Sequence, residues 1–208
     1  MSTRTFIAIE LASPLIQALS RRIQYLRNIC PSGRWVDPAS LHLTLTFLGD
    51  LDDTELASAT EAALTAAAGS RPFQLALGEL GFFGPPTRPS VVWAGVTGDL
   101  ARLHRLQADL TEEQSRRHLP DQDRRAFSPH LTLARLGGPP ADPDEVPRLL
   151  AALASSHTPS THPAMLVEQI SVMKSQLARP HALYTRLAAC PLLGGAGSST
   201  SGPSHAVQ

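Results

Sequence analysis

The sequence predicts an α+β fold made of two lobes of mainly antiparallel sheet, with helices on their outer faces and a central cleft between them. Three observations lead there. First, the tetrapeptide His42-Leu43-Thr44-Leu45 recurs letter for letter as His130-Leu131-Thr132-Leu133, 130 − 42 = 88 residues later. At this composition a given tetrapeptide should recur by chance in roughly one chain in a hundred of this length, so the repeat implies two related halves about a pseudo-twofold axis. Second, strand-like and helix-like segments are interspersed over 208 residues, a length that fits one two-lobed unit with a sizeable core. Third, the connections beside the motifs read as hairpins as often as crossovers.

Taken in order, Phe6 to Leu11 reads as a short buried strand. Ser13-Pro14 has the form of a helix N-cap followed by proline at the first helical position, and Leu15, Leu19, Ile23 and Leu26 follow at helical spacing. Pro31 to Gly33 ends this helix, and Trp35-Val36 leads into the first motif strand, His42 to Leu48. Asp53 is placed to cap a second helix running to about Ala68, with Leu56, Ala63, Leu64 and Ala67 on its inner face. Phe73 to Leu77 alternates as a strand, Gly81 to Pro89 reads as a Pro/Gly-dense loop, and Val91 to Val96 is a strand again. Both strands neighbour the first motif in sequence and are expected to complete its sheet. Leu100, Leu103, Leu106 and Leu110 mark an amphipathic helix from Asp99 to about Arg117, whose charged residues form a solvated face. Leu119 to Arg125 is a polar loop delivering the second motif strand, His130 to Ala134. Gly137 to Asp144 is a turn and Glu145 to Ala154 a helix. Met165 to Leu177 and Leu183 to Leu187 are strands, and the Gly/Ser-rich tail after Cys190, residues 191–208, is expected to be disordered.

Composition narrows the function. The formal net charge is zero, which removes broad electrostatic attraction to nucleic acid while leaving room for a local grip on a phosphate. Lys174 is the single lysine, so the positive charge is almost all guanidinium; the group suits phosphate, but in an Arg-, Ala- and Pro-rich chain codon bias is the first reading of that excess. Cys30 and Cys190 have neither metal-site spacing nor the density of a disulfide framework, which points to a reduced cytoplasm. The N-terminus lacks an export segment and no run of 18 apolar residues occurs, so a soluble protein is expected, one that avoids the membrane and needs no obligate protein partner, working as a monomer.

Chemistry is concentrated in the repeat. On a strand, alternate side chains share a face, so His42 stands beside Thr44 and His130 beside Thr132, with leucines turned to the core. One imidazole on a strand is most often structural; two matched imidazole-hydroxyl pairs invite a site in which the rings face each other across a cleft. An unperturbed pKa near 6.5 lets one ring act as acid and the other as base. In-line displacement at phosphorus needs proton donor and acceptor on opposite sides, and two hydroxyls could contact the non-bridging oxygens. The scheme needs no metal and no cofactor, and neither motif offers a third metal ligand. Phe47 and Arg135 each lie at an odd offset from their histidine. A regular strand therefore places Phe47 on the leucine face, with base stacking as its other reading, and Arg135 at the strand end, for phosphate or nucleobase contact or a plain surface role. His104, His118, His157, His162, His181 and His205 read as solvent-exposed.

His42 to Gly49, preceded by Arg34 to Leu41, and Phe127 to Arg135 resemble the two His-x-Thr-x motifs of the two-histidine phosphoesterase superfamily. Within it they look most like the bacterial and archaeal RNA 2′,3′-cyclic phosphodiesterases, historically called 2′-5′ RNA ligases. Thr5 to Leu11, the Phe82 to Pro86 segment before Val91 to Trp93, and Ser175 with Tyr184 add to a similarity covering about residues 4 to 189. The resemblance implies one bilobal phosphoesterase domain over residues 1–190. It implies metal-independent hydrolysis of an RNA-terminal 2′,3′-cyclic phosphate to a 2′-phosphomonoester, some members also joining 2′-5′ linkages reversibly. Carried over by position, His42 and His130 are the catalytic pair, and Thr44 and Thr132 bind the phosphate; His42 is expected to protonate the leaving 3′ oxygen and His130 to activate water, an assignment that the pseudo-symmetry allows to be reversed. A 2′-5′ oligonucleotide phosphodiesterase or ligase, a small cyclic nucleotide hydrolase, and a non-catalytic module for RNA ends are the other readings of the same constellation.

Overall fold

The first strand, β1 (Thr3–Glu10), carries five consecutive buried residues and lies inside a sheet rather than at its edge. In this computed structural model, residues 2–120, 122, 126–137, 142–155, 163–176 and 182–194 are described. The elements that follow are α1 (Ser13–Ile29), β2 (Arg34–Trp35), a 3-10 turn at Pro38–Ser40, β3 (His42–Leu51), α2 (Asp53–Gly69), β4 (Phe73–Phe83) and β5 (Val91–Gly98). Then come α3 (Leu100–Arg116), β6 (His130–Arg135), α4 (Glu145–Ser155), β7 (Ala164–Val167), β8 (Gln169–Gln176) and β9 (Leu183–Pro191).

The strands form two sheets, one ordered β3-β1-β8-β9 and the other β2-β6-β5-β4-β7, with every pairing antiparallel. Helices α2 and α3 pack against the first sheet, and α1 and α4 against the second. The fold is α+β and bilobal, as expected, and each motif strand belongs to its own sheet.

The pairing corrects one expectation. Strands β4 and β5 complete the sheet of the second motif, not the first. The two halves read β1-α1-β3-α2-β4 and β5-α3-β6-α4-β8, and each half gives its last strand to the other: β4 pairs with β5, and β8 with β1. The apolar alternation of a strand states which face it buries but not beside which strand it lies.

Smaller corrections have local causes. Trp35 does not run on into the first motif strand; β2 pairs with β6, and the chain crosses to the other lobe through the Pro38–Ser40 turn. The segment read as one strand from Met165 is two, β7 and β8, which belong to different sheets and part at Glu168. Phe82 and Phe83 belong to β4 rather than to a loop, because Gly78 and Glu79 together face one partner position, break the alternation and let pairing resume at Leu80 opposite Ala94. Ala12, not Ser13, is the N-cap of α1, which lacks a side-chain cap.

In α2 the N-cap is Asp52 rather than Asp53, and Asp52 and Glu55 form a reciprocal capping box. The face turned inward is made of Ala59, Ala62, Ala63, Ala66 and Ala67, while Leu64 is exposed. On α3, Glu113 is buried and paired with Arg116 and Arg117, so that face is not wholly solvated. Residues 121, 123–125, 138–141, Leu177 and the tail from 195 onward lie outside the described residues; before it, Leu192 is buried and its N–H donates to the Glu168 carbonyl. Among the described residues no helix is long and apolar enough to cross a membrane.

The capping assignment is testable by substitution. Asp52→Ala is expected to lower the unfolding free energy by about 1 kcal/mol, and Asp53→Ala by a few tenths. Urea denaturation of the two variants beside the parent checks the difference, and equal losses would return the cap to Asp53.

Candidate active site

The site begins with an irregularity that the two motif strands share. Along β1 and β3, Ala8 pairs with Thr44 and Ile7 with Thr46, leaving Leu45 unpaired. Along β5 and β6, Trp93 pairs with Thr132 and Val92 with Ala134, leaving Leu133 unpaired. The fourth letter of each motif is thus a β-bulge, an extra residue that shifts the side-chain phase by one. Leu45 and Thr46 are consecutively buried, as are Leu133 and Ala134. The next residue of each strand therefore returns to the histidine's face.

That shift decides Phe47 and Arg135. A regular strand would bury Phe47 among the leucines; instead it is half-buried, pairs opposite Phe6 and stacks on it with ring centroids 6.0 Å apart. The guanidinium of Arg4 also lies over the Phe47 ring, 4.9 Å from its centre. Arg135 holds the equivalent place on β6, opposite Val91, and is exposed. Both stand on the same face as His and Thr of their motif, at an offset of five that ordinary alternation forbids.

The two histidines are held alike. His42 Nδ1 lies 2.8 Å from the Ser40 carbonyl oxygen, and His130 Nδ1 lies 2.7 Å from that of Ser128. A carbonyl only accepts, so Nδ1 carries the hydrogen in each ring and Nε2 is the nitrogen left as acceptor. His42 packs against Phe6 at 4.8 Å and edge-on against Tyr184 at 4.9 Å, and His130 meets Phe83 edge-on at 4.9 Å. Burial pushes the His42 pKa below its ordinary value, while the Ser40 carbonyl and the Glu10 carboxylate, directly across the strand pair, pull it upward by less. The hydroxyls of Thr44 and Thr132 make no hydrogen bond among the described residues.

The two lobes bring these strands side by side. Residues of β3 and β6 come within 8 Å of each other, Cα to Cα. Val36 donates to the carbonyl of the bulged Leu133 at 2.8 Å, six residues before His42, and Gln122 donates to the Phe47 carbonyl at 3.2 Å, eight residues before His130. Phe83 on β4 and Tyr184 on β9 complete the walls. Both belong to segments singled out in the sequence, but ring contact with the histidines follows from the strand exchange and is invisible to spacing. Of the remaining histidines, His104 and His118 are exposed, and His157, His162, His181 and His205 lie outside the described residues. Among the described residues no three His, Cys, Asp or Glu side chains form a group that could hold a metal ion.

The family model of the 2′-5′ RNA ligase superfamily matches residues 15–179. The chain belongs to this superfamily. The RNA 2′,3′-cyclic phosphodiesterase of Geobacillus stearothermophilus is 36% identical over 191 residues, which cover 91% of the chain and 57% of that relative's length. The enzyme of the same name from Methanothermobacter thermautotrophicus is 29% identical over 89% of the chain and 96% of the relative. Among solved structures, TT0787 of Thermus thermophilus matches with a TM-score of 0.72 at 26% identity, covering 92% of this chain and 98% of that one. E. coli LigT complexed with 3′-AMP matches with a TM-score of 0.64 at 27% identity, covering 92% and 99%.

Nitrogen-detected NMR of the imidazoles tests the ring geometry. Both rings are expected as the Nδ1–H tautomer when neutral, with His42 titrating below the usual histidine range. An Nε2–H tautomer at either ring, or a His42 titrating above about 6.5, would contradict it.

Proposed function

We propose that this member of the superfamily hydrolyses the terminal 2′,3′-cyclic phosphate of RNA to a 2′-phosphomonoester, using His42 and His130 as the proton donor and acceptor and no metal. The observation that carries the reading is the matched pair of motif strands, each with its bulge, its Nδ1–carbonyl bond and an unengaged threonine hydroxyl. The names of the relatives and the 3′-AMP bound to E. coli LigT support the substrate class.

In this reading a water molecule gives its proton to His130 Nε2 as its oxygen attacks phosphorus. The bond from phosphorus to the 3′ oxygen breaks in line, and that oxygen takes the proton from His42 Nε2. Thr44 and Thr132 donate to the non-bridging oxygens, where charge builds. Burial keeps His42 neutral more readily than a free imidazole. The acid role is therefore filled once the phosphate anion is present, because a negative charge beside the ring favours its protonated form, as Glu10 already does. Phe47 offers a stacking surface for the terminal base, and Arg135 a fork for phosphate. The protein works in the cytoplasm as a monomer on RNA ends, through one phosphoesterase domain spanning residues 1–190.

His42→Ala and His130→Ala are each expected to lower kcat/KM on a cyclic-phosphate-ended oligonucleotide by about 10²- to 10⁴-fold, with circular dichroism unchanged. Thr44→Val and Thr132→Val should cost less, about 10- to 100-fold, the worth of one hydrogen bond to a charged group. Either histidine variant retaining full turnover would overturn the paired assignment. EDTA is expected to leave the rate unchanged; loss on chelation with recovery on adding zinc would replace the scheme by a metal mechanism.

A further inference from the structure

Arg186 is a charge beside the site that the proposed reaction does not use. It lies on β9 two residues beyond Tyr184, whose ring packs on His42, and it pairs opposite Met173 in the same sheet. Its Nη1 donates to Glu10 Oε2 at 3.0 Å, and the buried Ser171 hydroxyl donates to the same oxygen at 2.7 Å. Glu10 is the cross-strand partner of His42. One carboxylate, itself positioned by a buried donor, therefore ties the guanidinium to the strand pair that carries the imidazole.

Two features separate this pair from a casual surface ion pair. Glu10, though partly open to solvent, accepts from the hydroxyl of Ser171, which is 1% exposed, so one of its oxygens is held by the sheet. Arg186 keeps a half-exposed side chain, and among the described residues only one nitrogen of its fork is engaged. A planar fork with donors to spare, fixed on the same sheet as His42 and Phe47, matches the geometry of a phosphodiester.

We infer that Arg186 binds the phosphodiester on the 5′ side of the terminal nucleotide, so that the site reads an RNA end in preference to a cyclic mononucleotide. This rests on the hydrolase reading above and adds a second phosphate contact to it. The aromatic surface of Phe6 and Phe47 lies between Arg4 at one end of β1 and the Glu10–Arg186 pair at the other, an order that suits a base flanked by backbone charge.

The test compares kcat/KM for a cyclic-phosphate-ended trinucleotide with that for the cyclic mononucleotide of the same terminal base, in the parent, Arg186→Gln and Arg186→Lys. The parent is expected to prefer the trinucleotide, Arg186→Gln to reduce that preference about tenfold, and Arg186→Lys to keep part of it. The salt dependence of the trinucleotide rate should flatten in Arg186→Gln, as loss of one phosphate contact requires. An equal loss on both substrates, or no loss on either, would overturn the assignment, since an ion pair that only steadies the sheet has no means of telling the two apart. If the parent turns over neither substrate, the hydrolase reading fails by itself. Binding of the 2′-phosphorylated trinucleotide against the 2′-mononucleotide then decides for Arg186, a tenfold fall in preference supporting the contact and an unchanged preference overturning it.

Discussion

Strand β6 carries one residue more than β5, at Leu133, and β3 carries two more than β1, at Leu45 and Leu48; the rest of the site depends on the surplus that both motifs share at their fourth letter. Leu45 and Leu133 are unpaired in their ladders, yet both are buried, at 3% and 0% exposure. Burying a leucine is worth about 1.5–3 kcal/mol, which offsets a disturbed ladder bond worth about 0.5–1.5 kcal/mol. On the other edge of β6 the Leu133 carbonyl accepts from Val36, which continues the pairing with β2 past the bulge. The bulge is therefore a stable feature of both strands, and its effect is to put three residues of each motif, not two, on one face: His42, Thr44 and Phe47 on one strand, His130, Thr132 and Arg135 on the other.

The two halves then diverge in what surrounds an identical unit. His42 is enclosed by Phe6 and Tyr184, and His130 has Phe83 against it. A symmetric scaffold thus carries different groups at equivalent positions, a ring at Phe47 with the Arg4 guanidinium over it and a guanidinium at Arg135. The desolvation that depresses the His42 pKa and the Glu10 carboxylate that opposes it work on one ring at once, with desolvation the larger of the two.

Much of this was legible in the sequence, and what was not has identifiable causes. The repeat exposed the four polar motif residues, and apolar spacing located the helices and most strands. Alternation placed Phe47 on the wrong face because a bulge leaves no mark in the letters: Leu45-Thr46 and Leu133-Ala134 read equally well as regular strand. Exchange of β4 and β8 between the lobes was hidden for a different reason, since antiparallel partners are chosen in three dimensions and both strands had to bury the same kind of face. At Asp52 and Asp53 two adjacent carboxylates competed for one cap, and Glu55, three residues after Asp52, was the signal that settles it.

The central claim, that two opposed imidazoles share one proton-transfer task, is tested most directly by the pH dependence of kcat/KM on a cyclic-phosphate-ended RNA. The parent should give a bell-shaped profile around neutrality, His42→Asn should lose the alkaline limb alone, and His130→Asn the acid limb alone. A flat profile in the parent, or the same limb lost in both variants, would contradict it.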